Sequence, residues 1–264
     1  MAGDSLVRRA LRRERVVVAT GLLTVIGLSW AYLLMGAGTM QEMGDMLMPM
    51  SSGPWTVVHT LVMLVMWAVM MAAMMLPSAA PMILLYGTIA HARSTRGEEV
   101  AGSVFFVAGY IAVWTVFSLA AVALQFGLEA VALLSPMMET TSVVVTAAIL
   151  ISAGAYQWTP LKQACLRHCR SPLEFVLTQW REGRYGAFLM GLRHGAYCTG
   201  CCWMLMLLLF VGGVMNLVWI GGLAAYVMVE KLAPAGHWTG RAAGLLLIGW
   251  GVATIFAVRL PATG

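Results

Sequence analysis

Residues 55–90 read WTVVHTLVMLVMWAVMMAAMMLPSAAPMILLYGTIA, without one charged side chain. As a single straight helix this run would extend about 54 Å at 1.5 Å per residue. That is nearly twice the roughly 30 Å hydrocarbon core of a bilayer. Pro77 and Pro81 each forfeit a helical hydrogen bond. The spacing therefore predicts a span kinked at Leu76-Pro77 that continues as a half-buried helix towards Tyr86 and His91.

The rest of the chain agrees with a membrane reading. Of 264 residues, 61% are hydrophobic and 10% charged, and mean hydropathy is +0.84. A soluble domain would carry about a quarter charged residues. A disordered chain would be far less apolar, and a disulfide-stapled module would be shorter and richer in cysteine. Span-length apolar runs recur at Val16–Met35, Trp55–Leu76, Gly102–Phe126, Thr140–Trp158, Tyr185–Val211, Val214–Val229 and Arg241–Val258. The expected fold is all-α: a polytopic helical membrane protein with about seven transmembrane helices, or six to eight. The first run exceeds the h-region of about 7–15 residues found in a signal peptide, so it reads as a span.

Basic residues set the expected orientation. Arg8, Arg9, Arg12, Arg13 and Arg15 precede the first span, and Arg93 and Arg96 follow the second. Lys162, Arg167, Arg170, Arg181 and Arg184 lie between the fourth and fifth, and Lys231 precedes the seventh. Glu42, Asp45, Glu129 and Glu139 fall on the other side. The expectation is N-in and C-out in a bacterial inner membrane, as one integral domain over residues 1–264. Residues 1–15 form a basic cytoplasmic terminus, 36–54 a Met-rich periplasmic loop, and 159–184 a cytoplasmic loop carrying Cys and His. The +5 formal charge is a topology signal, and no nucleic-acid patch is visible.

Methionine is the anomaly, at 21 residues beside five Cys and five His. Thioethers and thiolates select soft ions, Cu(I) above all. His194, Cys198, Cys201 and Cys202 sit at i, i+4, i+7 and i+8, so a helix puts them on one face. Polar and ionisable groups inside a membrane are costly and read as functional by default. On the second span Met63, Met66, Met70 and Met74 continue a stripe from His59 at steps of three and four, with Met71 and Met75 beside it and Met82 beyond the prolines. Such a stripe also suits adaptable core filling. Counting depth at 1.5 Å per residue brings Met66 and Met70 within a turn or two of Cys198 and Cys202. The principal ligand set read from sequence is therefore Met70, Met74, His194, Cys198, Cys201 and Cys202.

Two further clusters lie at the expected mouths. Met40, Met43, Met46, Met48 and Met50 crowd the outer loop, where they have little packing use and suit capture of a soft ion. On the inner side Cys165, His168 and Cys169 stand among basic residues that raise thiol nucleophilicity and metal affinity, which suits exchange of the ion. Glu230-Lys231 reads as a simple interfacial ion pair. Met215-Asn216 and Arg193 could orient ligands or cap helices. No P-loop, HExxH or Ser–His–Asp pattern supports an ATP-driven pump or a hydrolase.

The run Trp67-Ala68-Val69-Met70-Met71-Ala72-Ala73-Met74-Met75-Leu76-Pro77, with Pro81-Met82, resembles a bacterial family of predicted metal-binding integral membrane proteins. Tyr156-Gln157, Lys162, Cys165, Cys169-Arg170 and Pro172 are similar to its second motif. Cys198, Gly200-Cys201-Cys202-Trp203, Leu205-Met206 and Met215-Asn216-Leu217 are similar to its third. Some members are labelled copper chaperones. The resemblance runs from Trp55 to Lys231, omits the Met-rich outer loop, and implies copper handling.

The expected function is binding and relay or transport of Cu(I), with Zn(II) the weaker fit, by a metal-binding protein rather than an enzyme. Expected partners beside the bilayer are a soluble copper carrier or another membrane metalloprotein. Two other classes stay open: a thiol or quinone oxidoreductase, and an assembly or structural subunit of a membrane metalloprotein complex. The oxidoreductase would need an outer electron exit, yet no Cys lies in an outer loop.

Overall fold

The uncharged 55–90 run folds as one helix. In the computed structural model, which describes residues 2–37, 40–43, 46–49, 55–94, 96–135, 138–234 and 236–259, α2 spans Val57–Ser94 and passes through both prolines. The Ser78 hydroxyl donates to the Met75 carbonyl at 2.9 Å, within the turn that holds Pro77. Local side-chain bonds of this kind are how apolar helices carry proline. Before it comes α1, Ala2–Leu34. After α1 the Met-rich segment forms an antiparallel hairpin, β1 Met40–Met43 with β2 Met46–Pro49, where an irregular loop was expected. Met50 lies outside the described residues.

After α2 the chain continues as α3 Ser103–Ala130, α4 Val143–Tyr156, α5 Pro160–Arg170, α6 Pro172–Gln179, α7 Gly183–Leu207, α8 Leu209–Gly212, α9 Leu217–Leu232 and α10 Gly236–Arg259. Among the described residues five segments are long and apolar enough to cross a membrane: Arg15–Leu34, Val57–Ser94, Ser103–Ala130, Gly183–Gly212 and Trp238–Ala257. The pair α4 and α5, bent by 63°, would make six.

The difference from seven has local causes. α4 ends after 14 residues because Pro160 starts a new helix, capped by the Thr159 side chain accepting from Lys162 N–H. α9 has 16 residues, short of the roughly 20 a span needs. Gly213 holds φ at +87°, open to glycine at little cost, and ends α8. Asn216 then caps α9 by accepting from Trp219 N–H at 3.1 Å, which settles the capping role of that residue.

Glycine also sets the helix pairs. A Cβ at Gly191 of α7 would lie 2.0 Å from the Phe106 carbonyl oxygen of α3, and one at Gly109 of α3 would lie 2.1 Å from the Phe188 carbonyl oxygen. The α3 and α7 backbones therefore touch, as small residues permit in apolar surroundings. A Cβ at Gly154 would meet the Gly244 carbonyl oxygen at 2.6 Å, which seats α10 on α4 in the same way. The core lies between α2, α3, α7 and α9, where Met63, Met66, Trp67, Met70, Met71, Met74 and Met75 are all buried.

Candidate metal centre

The thiol cluster is built on the close α3–α7 pair. Cys198, Cys201 and Cys202 are buried in the middle of α7. His194, one turn earlier, is buried too. Its ring lies 5.7 Å from that of Tyr110 and 5.6 Å from that of Phe175, and its Nδ1 has no hydrogen-bond partner among the described residues. The four residues share one face, as their spacing required.

Across α2 and α7 the Met75 thioether lies 3.9 Å from Cys202 Sγ. Met66, Met70 and Met74 are buried in the same helix, with Met70 about 7.5 Å before Met75 along the axis.

Cys169 joins this cluster. α5 packs along α7, which brings Cys169 against Cys198 and Cys201. Cys165 Sγ occupies the space beside Gly200, where a Cβ would lie 2.7 Å away. His168 points elsewhere: it is exposed and stacks on Tyr197 at 4.2 Å with the rings 9° apart. Cys165 and Cys169 are four apart and share a helical face, whereas His168 diverges by about 100° from its neighbour Cys169. At the opposite end of α2, His59 is half-buried against Trp55, with ring centroids 4.9 Å apart.

A lysine stands over the thiols. Lys231 Nζ of α9 donates to Cys198 Sγ at 2.9 Å and to Ser78 Oγ of α2 at 3.3 Å. Tyr110 Oη of α3 lies 3.0 Å from the same sulfur and donates to the Met75 carbonyl at 3.2 Å. Since Ser78 also donates to that carbonyl, the contacts close a ring through α9, α7, α3 and α2. Lys231 and Cys198 balance charge either as ammonium with thiolate or as amine with thiol, which lets both lie in the apolar interior.

Glu230 does not pair with Lys231. Its carboxylate lies 2.6 Å from Lys162 Nζ, with both side chains wholly buried. Lys162 also donates to Gln157 Oε1. Successive helical residues do not face each other, so Glu230 turns to α5 while Lys231 turns to α7. This corrects the interfacial pair read from sequence. It also takes Lys162 and Lys231 out of the set of surface charges that indicated orientation. The signal that could have found Lys231 was the cost of a lysine on an apolar helix, whereas Lys162 lies in a polar helix that carried no such signal.

Among the described residues no three His, Cys, Asp or Glu side chains form a group ready to hold a metal ion. The hydrogen bonds explain this. Cys201 and Cys202 donate back to the Cys198 carbonyl at 3.0 and 2.9 Å, and Cys198 Sγ is engaged by Lys231 and Tyr110. All five cysteines are free. The donors are soft, close together and bound to one another.

Residues 64–254 match the model of a family described as copper chaperone. The chain belongs to that copper chaperone family. The matched range begins inside α2 and ends inside α10, so it takes in every cysteine, Lys162, Glu230 and Lys231. The Met-rich hairpin lies outside it, as the sequence resemblance implied. No curated protein and no solved structure matches the chain.

Proposed function

We propose that this protein takes up Cu(I), holds it as cargo among the α7 thiols, and hands it on from within the bacterial inner membrane. The observation that carries this reading is the meeting of Met75 and Cys202 at 3.9 Å, where Cys169 also reaches Cys198 and Cys201. Thiol and thioether sulfur together favour Cu(I) over Zn(II). The family description supports copper as the metal.

Cys198, Cys201, Cys202 and Cys169 would bind the ion, with Met75 and His194 beside them and Met66, Met70 and Met74 as the line of thioethers along α2. Loading requires the Cys201 and Cys202 thiols to leave the Cys198 carbonyl by side-chain rotation between staggered wells. It also requires Lys231 to yield the Cys198 sulfur. The ammonium keeps that sulfur's charge balanced before the cation arrives. Cys165, beside Gly200, is placed to receive the ion on the α5 side. The five or six span-length apolar helices and the remaining arginines support an inner-membrane location with the N-terminus inside.

Metal analysis of the purified full chain after exposure to Cu(I), Ag(I) and Zn(II) tests the proposal. Cu(I) should be retained with an ultraviolet Cu(I)–thiolate band that is lost in Cys198→Ser and Cys201→Ser, while Zn(II) should wash away. Zinc retained as firmly as copper, or an unchanged Cu(I)–thiolate band in both serine variants, overturns it.

A further inference from the structure

A cavity of about 170 Å³ lies between the end of α1, the middle of α2 and the junction of α8 with α9. Its walls include Leu33, Met35, Met66, Met215 and Ile220. Among the described residues every lining residue is apolar or glycine, and the side-chain donor atoms they carry are the thioether sulfurs of Met35, Met66 and Met215. They come from three separate segments of the chain, brought together only by the fold. Met35 is 78% exposed and Met66 has no exposure, so the three methionines run from a mouth to a buried floor.

We propose that this cavity is a Cu(I) entry site, with Met35, Met66 and Met215 as its ligands. The inference rests on the copper reading above and adds where the ion comes in. A hydrated divalent ion would lose its water here and find no oxygen or nitrogen side chain among the described lining residues to replace it. A monovalent soft ion finds three neutral sulfurs. The floor of the cavity is also the top of the thioether line. Met66, Met70 and Met74 follow one another at i+4, steps of about 6 Å along the axis, and the line ends beside Met75 and its contact with Cys202. At the mouth, Met35 is followed closely in the chain by the Met-rich hairpin that begins at Met40. An acyl chain is the other occupant an apolar cavity could take, and the test separates the two. Leucine keeps the volume and apolar surface of methionine while removing the sulfur.

Two measurements on the full chain decide the matter. First, Ag(I) is titrated into the Cys198→Ser/Cys201→Ser/Cys202→Ser variant. About one Ag(I) should remain bound and should be lost when Met66→Leu and Met215→Leu are added. No retained Ag(I), or retention unchanged by the two leucines, overturns the entry site. Second, the ultraviolet Cu(I)–thiolate band is followed as the otherwise unaltered chain is loaded from a weak chelator. Met66→Leu/Met215→Leu should load at least tenfold more slowly. An equal rate overturns the entry site while leaving the thiol reading intact. Absence of the thiolate band in the unaltered chain sinks the thiol reading, and the Ag(I) titration then still decides the cavity.

Discussion

Lys231 Nζ stands 2.9 Å from Cys198 Sγ, and this one contact joins α9 to α7 at the centre of the thiol cluster. It places a compact cation against the sulfur that a soft metal ion would take. Lysine suits the role because its ammonium is a point charge on a flexible stem, whereas arginine would present a broad planar fork.

Replacing Lys231 by Met removes the charge and keeps most of the length. The thiol then loses the partner that balances its ionised form, and Cu(I) affinity should fall about tenfold, or about 1.4 kcal/mol. Lys231→Arg should not restore it. Competition with a Cu(I) chelator measures the effect. Unchanged affinity in Lys231→Met would mean that the ammonium contributes nothing to the site.

The buried pair of Lys162 with Glu230 should behave asymmetrically. Glu230→Gln leaves a buried ammonium without its counter-charge and should cost about 3–5 kcal/mol. The double variant Lys162→Met/Glu230→Leu removes both charges and should recover most of that loss. Thermal unfolding in detergent, read on all three proteins, checks the order. A double variant no more stable than Glu230→Gln would contradict it.

Met75 and Cys202 touch across α2 and α7, so their substitutions should not be independent. A double-mutant cycle of Met75→Leu and Cys202→Ser on Cu(I) affinity should show coupling of about 0.5–3 kcal/mol. Met82→Leu lies about two helical turns further along α2 and should combine with Cys202→Ser to within a few tenths of a kcal/mol. Additivity in the first cycle would return Met75 to core packing.

Gly191 should tolerate no side chain. Its Cβ would fall 2.0 Å from a backbone oxygen of α3, so Gly191→Ala must push two helices apart, and overpacking of this kind costs about 1–3 kcal/mol or more. At Gly249 nothing lies within 4 Å, and Gly249→Ala should be neutral or slightly stabilising in a helix. The comparison uses thermal unfolding. Equal stability of the two variants would argue against the close α3–α7 approach.

Reporter fusions test the orientation now that Lys162 and Lys231 are buried. Fusions after Arg93 and within residues 166–184 should read cytoplasmic, and fusions after Met46 periplasmic, because Arg93, Arg96, Arg167, Arg170, Arg181 and Arg184 concentrate the remaining positive charge in those two segments. A periplasmic reading near Cys165 would remove the proposed hand-over on the inner side.

Much of this molecule is written in local patterns. Apolar runs of span length set the helices at α2, α3 and α7, since helix formation needs only nearby residues and every backbone group must find its partner within an apolar segment. The stripe of His194, Cys198, Cys201 and Cys202 was legible for the same reason: spacing along one helix places side chains on one face. So was the abundance of soft donors and the family the motifs belong to. Contacts between helices were not legible. Helices this apolar carry little contrast between one side and another, so hydropathy says nothing about which face meets which neighbour. Only packing decided that Met75 touches Cys202, that Cys169 turns into the cluster while His168 turns out, and that Met35, Met66 and Met215 line one cavity. Packing likewise sent Glu230 to Lys162 and Lys231 to Cys198, because neighbours on a helix diverge by about 100° and each buried charge takes the partner its own direction offers.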